Sequence, residues 1–204
     1  YLPTLTITNL SFINFKNMKI KLFFIFFRTG TKISCDSPLN QKKSVYLKNI
    51  QIPDSLKGKD LEGNEILLGE INIDQVKEFT KHWSSNYNPN SDILAKIKPL
   101  IKKRGIVLIM GTWCEDSERE IPGFIKILES INYDIKKMRI IAVDENKITP
   151  NFIEKDYELI NIPTIIFYDT ENEINRIVEF PIKSIEEDIL DILTGKTYKH
   201  AYYK

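Results

Sequence analysis

The run Gly105-Ile-Val-Leu-Ile-Met110 passes directly into Gly111-Thr-Trp-Cys-Glu-Asp-Ser-Glu-Arg-Glu-Ile-Pro-Gly-Phe-Ile-Lys-Ile-Leu128, and this change of pattern constrains the fold more than any other feature. Ile106 to Met110 are uninterruptedly apolar, too short for a membrane span and of the right length for a strand buried on both faces. Gly111 and Thr112 break the run. From there Ile121, Phe124, Ile125 and Leu128 recur at steps of three and four, as on one face of a helix. Cys114 therefore falls where a buried strand hands over to a helix. Unpaired N–H groups and the positive end of the helix dipole favour negative charge at that point, so a cysteine there is expected to be a nucleophile. Glu115, Asp116, Glu118 and Glu120 oppose this. They reach screened water, whereas the N–H groups face the sulfur, and Arg119 offsets part of their charge. Ser117 lies in the same first turn, where its hydroxyl can cap a backbone N–H or donate to the sulfur.

The segment Trp113-Cys114-Glu115-Asp116-Ser117 resembles the active-site segment of the thioredoxin superfamily, in which Trp-Cys-x-x-Cys ends a central strand and opens a helix. Pro122 matches the proline that kinks this helix, and Ile162-Pro163-Thr164 matches the cis-proline loop that faces the cysteine. The resemblance runs from about Lys102 to Leu193 and is similar in detail to bacterial thioredoxin-family proteins that share Gly-Thr-Trp-Cys-x-Asp-Ser. It implies an α/β fold, a three-layer α/β/α sandwich around a mixed central sheet, here carrying an N-terminal extension.

The rest of the chain is read around that core. Glu65-Ile-Leu-Leu-Gly69 predicts a short strand. Asn72 to Trp83 predicts a helix with Ile73, Val76 and Phe79 on one face, capped by Asn72 or Asp74; a second helix over Asp92 to Lys98 is capped at Ser91 and stops before Pro99. Met138 to Asp144 is a second buried strand, and the helix between it and the first makes a parallel, right-handed crossover the expected connection. His82 beside Trp83 reads as packing or surface. Asn151 to Tyr157 is a short helix or turn. Thr164 to Tyr168 and Glu173 to Val178 form a hairpin, and Ser184, with Glu187 three residues on, caps a last helix, Ile185 to Leu193, before Gly195.

Charge and composition exclude some roles. Lys and Arg number 29 against 28 Asp and Glu, so no chain-wide field draws the protein to nucleic acid or to an anionic membrane. Two histidines far apart, His82 and His200, and two cysteines, Cys35 and Cys114, give neither a zinc cluster nor a disulfide framework. No metal and no tightly bound cofactor is implied.

Met18 to Asp36 has a basic start, a short apolar run from Leu22 to Phe27 and a small residue before Cys35, as in an export signal. Its resemblance is to a bacterial lipoprotein signal, which implies lipidation of Cys35, an exported, periplasmic or membrane-anchored protein, and contact with a membrane only through that anchor. The other reading is a buried strand with Cys35 an ordinary thiol, and a cytoplasmic protein. The expected organisation is residues 1–35 as signal and uncertain start, 36–60 as linker, and 61–204 as the thioredoxin-like domain with its N-terminal elaboration.

In this arrangement Cys114 is the nucleophile and Ser117 a hydrogen-bond donor to it. Ser117 stands where a resolving thiol normally releases the mixed disulfide, so the expected chemistry is a monothiol cycle on protein or low-molecular-weight disulfides, completed by an external thiol reductant. A cis bond before Pro163 would turn the Ile162 backbone toward Cys114 to pair with an extended substrate; trans is the commoner state of X-Pro bonds. Trp113 either offers the substrate a flat apolar wall or packs in the core. Val107 to Met110 lack the buried acid that thioredoxins carry in this strand, and Gly111 stands where peroxide-reducing members of the fold carry threonine. The competing reading is a redox-inactive binding module on the same fold.

Overall fold

A computed structural model describes residues 51–204 of the 204-residue chain. Cys35 and the export-signal and lipidation readings of residues 1–35 lie outside the described residues. A 3-10 turn over Asp54–Leu56 leads into β1 (Lys57–Lys59), which pairs antiparallel with β2 (Glu65–Leu67) as a separate two-stranded sheet. The last residues of the segment read as linker are thus ordered secondary structure. Gly69, at φ 89°, makes the bend from this hairpin into β3 (Gly69–Ile71), which joins the main sheet; a Cβ is disfavoured at that φ, and Gly has none.

The main sheet has five strands in the order β3-β5-β4-β6-β7, with β4 Gly105–Met110, β5 Arg139–Ala142, β6 Thr164–Asp169 and β7 Asn172–Val178. β4 runs parallel to β5 and antiparallel to β6, while β3 and β7 are antiparallel to their neighbours. This is the parallel crossover and the hairpin expected from the sequence, joined into one mixed sheet. The hairpin turn is tighter than its sequence suggested, with Asp169 opposite Asn172 and Thr170 at φ 59°.

Among the described residues, four α-helices complete the fold: α1 (Ile73–Phe79), α2 (Ser91–Ile101), α3 (Glu115–Ser130) and α4 (Ile185–Leu193). The Asn72 side chain accepts the Gln75 N–H and the Gln75 side chain accepts the Asn72 N–H, a reciprocal cap that starts α1. That helix stops at Phe79 rather than near Trp83, because the Thr80 hydroxyl turns back onto the Val76 carbonyl. α2 differs from its sequence reading at both ends. Asn90, not Ser91, is the cap, and the helix continues through Pro99 because Ile97 and Ile101, one turn apart, are both buried against the core. Ser184 caps α4 by accepting the Glu187 N–H, while the Glu187 carboxylate accepts the Ser184 hydroxyl.

Alternation along the strands divides the core in two. Ile106, Leu108, Met110, Ile140, Ile165 and Phe167 face one cluster, which also takes in the buried faces of all four helices. Val107, Ile109, Ile141, Val143 and Ile166 face a smaller cluster on the other side of the sheet, closed by Tyr157, Ile153 and Leu159 from a 3-10 turn over Ile153–Tyr157 and its flank. Among the described residues, the layer on this second face is thin. Cys114 belongs to it.

Candidate functional site

Cys114 is the N-cap of α3, with extended backbone (φ −89°, ψ 122°), and its carbonyl accepts the Glu118 N–H at 3.0 Å. β4 places it. The strand is buried from Ile106 through Met110, and the turn at Gly111 and Thr112 closes with the Cys114 N–H donating to the Gly111 carbonyl at 3.2 Å. Pro122 lies inside α3 as the sequence indicated, and Glu115, Asp116 and Glu118 occupy the first turn, where acidic side chains suit the positive end of the dipole. Arg119 pairs with Asp116 at 2.6 Å and with Glu120 at 2.8 Å.

The Ile162–Pro163 peptide is cis. The Cys114 thiol donates to the Ile162 carbonyl at an Sγ–O distance of 3.8 Å, which brings the cysteine and the proline loop together. The loop is tied on its far side by the Glu179 N–H donating to the Pro163 carbonyl at 2.7 Å and by the Thr164 hydroxyl donating to the Asn161 carbonyl. Cys114 is 9% exposed and Ile162 3%, so the cysteine is buried among apolar neighbours.

Trp113 is half-buried. Its Nε1–H donates to the Val143 carbonyl at 2.9 Å, and its ring packs against the cluster that holds Cys114. The β1–β2 hairpin leans on this turn through the Leu67 N–H donating to Thr112 Oγ1 at 3.0 Å, and on the segment after β5 through the Leu61 N–H donating to Glu145 Oε2 at 2.7 Å. Nothing in the sequence motif announced this support, because it depends on contacts 45 and 84 residues apart.

Of the two contacts expected of Ser117, a backbone N–H or the sulfur, the structure shows the first. Its side chain is fully buried, and its Oγ accepts the Gly111 N–H at 3.3 Å; the hydrogen bond to the Cys114 sulfur is not among those of the described residues. The hydroxyl instead satisfies a backbone donor at the end of β4. Among the described residues, no group of three or more metal-ligating side chains comes together, and no helix is long and apolar enough to cross a membrane.

A buried strand ending in a lone cysteine at a helix start, opposite a proline loop on a five-stranded mixed sheet, defines a thioredoxin-like α/β protein. A family model described as thioredoxin matches residues 70–191, and the chain belongs to that family. No curated protein matches the chain in sequence. Among solved structures, it is similar to a protein of unknown function from Pseudomonas aeruginosa, at 17% identity over 59% of this chain and 82% of that one, with a TM-score of 0.41. It is also similar to mitochondrial thioredoxin 3 from Saccharomyces cerevisiae in its oxidized form, at 22% identity over 42% and 76%, TM-score 0.29. A third is Trxlp from Edwardsiella tarda, at 15% identity over 52% and 95%, TM-score 0.32.

Proposed function

We propose that the protein is a monothiol disulfide oxidoreductase with Cys114 as its nucleophile. The observation that carries this reading is the meeting of the Cys114 sulfur with the Ile162 carbonyl, 3.8 Å apart, at the start of α3. An extended substrate laid along the Ile162–Pro163 loop would present its disulfide to the sulfur, with Trp113 as a neighbouring apolar wall.

The thiolate of Cys114 attacks one sulfur of the substrate disulfide. The S–S bond breaks, a Cys114–substrate disulfide forms, and the leaving thiolate takes a proton from water. A reductant thiolate then attacks Cys114 Sγ and frees the second substrate sulfur, which is protonated to a thiol; a second reductant thiolate attacks the first reductant's sulfur, the two form a disulfide, and Cys114 leaves as the thiolate. Two reductant thiols are thereby oxidised to one disulfide as one substrate disulfide is reduced. Ser117 supports these transfers through its bond to the Gly111 N–H. It holds the turn that carries the cysteine.

Trapping tests the reading. In a Cys35→Ser background, acid quenching after exposure to oxidised proteins should leave mixed disulfides on Cys114 that are absent from the Cys114→Ser control. The low exposure of Cys114 favours a second reading, the redox-inactive binding module. That reading takes over if no adduct forms and Cys114 is alkylated at neutral pH no faster than a free thiol. Export with an anchor at Cys35 belongs to the same proposal, and metabolic labelling with a radioactive fatty acid should mark the wild type and not Cys35→Ser.

A further inference from the structure

Gly111 lies against four residues of the site just described: Trp113, Cys114, Ser117 and Ile162. Its N–H donates to Ser117 Oγ at 3.3 Å, and its carbonyl accepts the Cys114 N–H at 3.2 Å. Where a side chain would begin there is no room. A Cβ at this position would lie 2.8 Å from Cε2 and from Nε1 of Trp113 and 2.8 Å from Cδ1 of Ile162. Its φ lies outside the left-handed region, so the requirement is for space and not for backbone freedom.

The two neighbours resist differently: the obstructing atoms of Trp113 belong to a ring that must move as a whole, while Cδ1 of Ile162 is the end of a side chain that must turn aside. The indole is rigid and is held by its Nε1–H donating to the Val143 carbonyl. Ile162 is 3% exposed, and its own carbonyl receives the Cys114 thiol. Gly105, at the other end of the same strand, provides the contrast: a Cβ there would meet only Tyr168 Cβ, at an ordinary 3.5 Å.

We propose that Gly111 is the positioning residue of the Cys114 site, and that the absence of its side chain lets Trp113 and Ile162 close together on the sulfur. A methyl group at 111 displaces both walls at once while leaving Cys114 and Ser117 chemically intact. The role assigned to those walls rests on the thiol-exchange reading, whereas their placement by Gly111 does not.

The test uses the full chain carrying Cys35→Ser and Trp83→Phe, so that Cys114 is the sole thiol and Trp113 the sole indole. Gly111→Ala is expected to shift Trp113 emission to the red, to speed alkylation of Cys114 several-fold as its walls part, and to slow mixed-disulfide formation. Gly105→Ala should change none of these. Adding Ile162→Val and Trp113→Ala to Gly111→Ala removes the obstructing atoms, so in that background the alanine should no longer alter the alkylation rate. An unchanged indole spectrum and alkylation rate in Gly111→Ala overturns the proposal. So does an equal effect of the alanine with and without the obstructing atoms. Should Gly111→Ala fail to fold, the triple variant must fold, and its failure also refutes the role. A parent protein that forms no mixed disulfide defeats the exchange reading alone, because emission and alkylation still decide the place of Gly111.

Discussion

Ser117 shows what one buried hydroxyl does when it stands where a second thiol would. Its oxygen is the partner of the Gly111 N–H, and both groups are buried. Ser117→Ala leaves that N–H without an acceptor, at a cost of about 1–3 kcal/mol. Chemical denaturation should show the loss as a lower midpoint with an unchanged slope. Trp113→Phe keeps an aromatic ring but deletes the donor to the Val143 carbonyl, so a smaller loss of about 0.5–1.5 kcal/mol is expected in the same measurement. The places of the candidate residues in the fold were legible in the sequence: Cys114 at a strand-to-helix junction, Pro122 within the helix and Pro163 before a strand each have a local signature. The partner of Ser117 was not. Which acceptor or donor a first-turn serine meets depends on how the two residues before Trp113 fold back, and a spacing rule carries no information about that.

At the scale of elements, legibility followed the length of the hydrophobic pattern. β4, α3, the β6–β7 hairpin and α4 have runs long enough for periods of two or 3.6 to separate, and each formed where the pattern placed it. β3 has no signature of its own, because three residues beginning with a glycine carry almost no period and the strand is defined by its pairing with β5. The end of α2 was misplaced for a different reason. Pro99 is a local stop signal, but burial of Ile97 and Ile101 on one face, each worth about 1.5–3 kcal/mol, outweighs the lost backbone bond. The helix is therefore held through its proline by tertiary packing. Pro99 is itself exposed, so Pro99→Ala should restore a donor to the Ala95 carbonyl without disturbing the core. Part of the gain is offset by the greater freedom of the unfolded chain, and a net stabilisation of about 1–2 kcal/mol should raise the thermal midpoint.

Among the described residues the two faces of the sheet are unequally covered, and buried carboxylates fasten both. Four helices cover one face, where the Glu186 carboxylate accepts the Tyr87 hydroxyl and the Asn90 N–H, tying the α1–α2 loop to α4. On the thin face the Glu154 carboxylate accepts the hydroxyl and the N–H of Thr149, fixing the segment that closes the cluster around Cys114. Burial, the largest single influence, raises each carboxyl; the hydrogen bonds together outweigh it and hold both below the ordinary glutamate range. A carboxyl lowered in the folded state adds stability above its unfolded value and gives it up as pH falls through the folded one. Asp188 works in the opposite sense. Burial keeps its carboxyl above the usual range despite donors from Ile182, Lys183 and Tyr198, so the folded protein takes up this proton at higher pH than the unfolded chain and recovers some stability on acidification. The thermal midpoint should accordingly decline as pH drops below the ordinary glutamate range, and Asp188→Asn should steepen that decline by removing the compensation. Glu154→Gln keeps an acceptor but loses the charge assistance, about 1 kcal/mol, at neutral pH. The gap between this variant and the wild type should narrow toward zero at the acid end of a midpoint-against-pH series. A gap that stays constant across the series would mean that Glu154 holds the thin face by shape alone and not by charge.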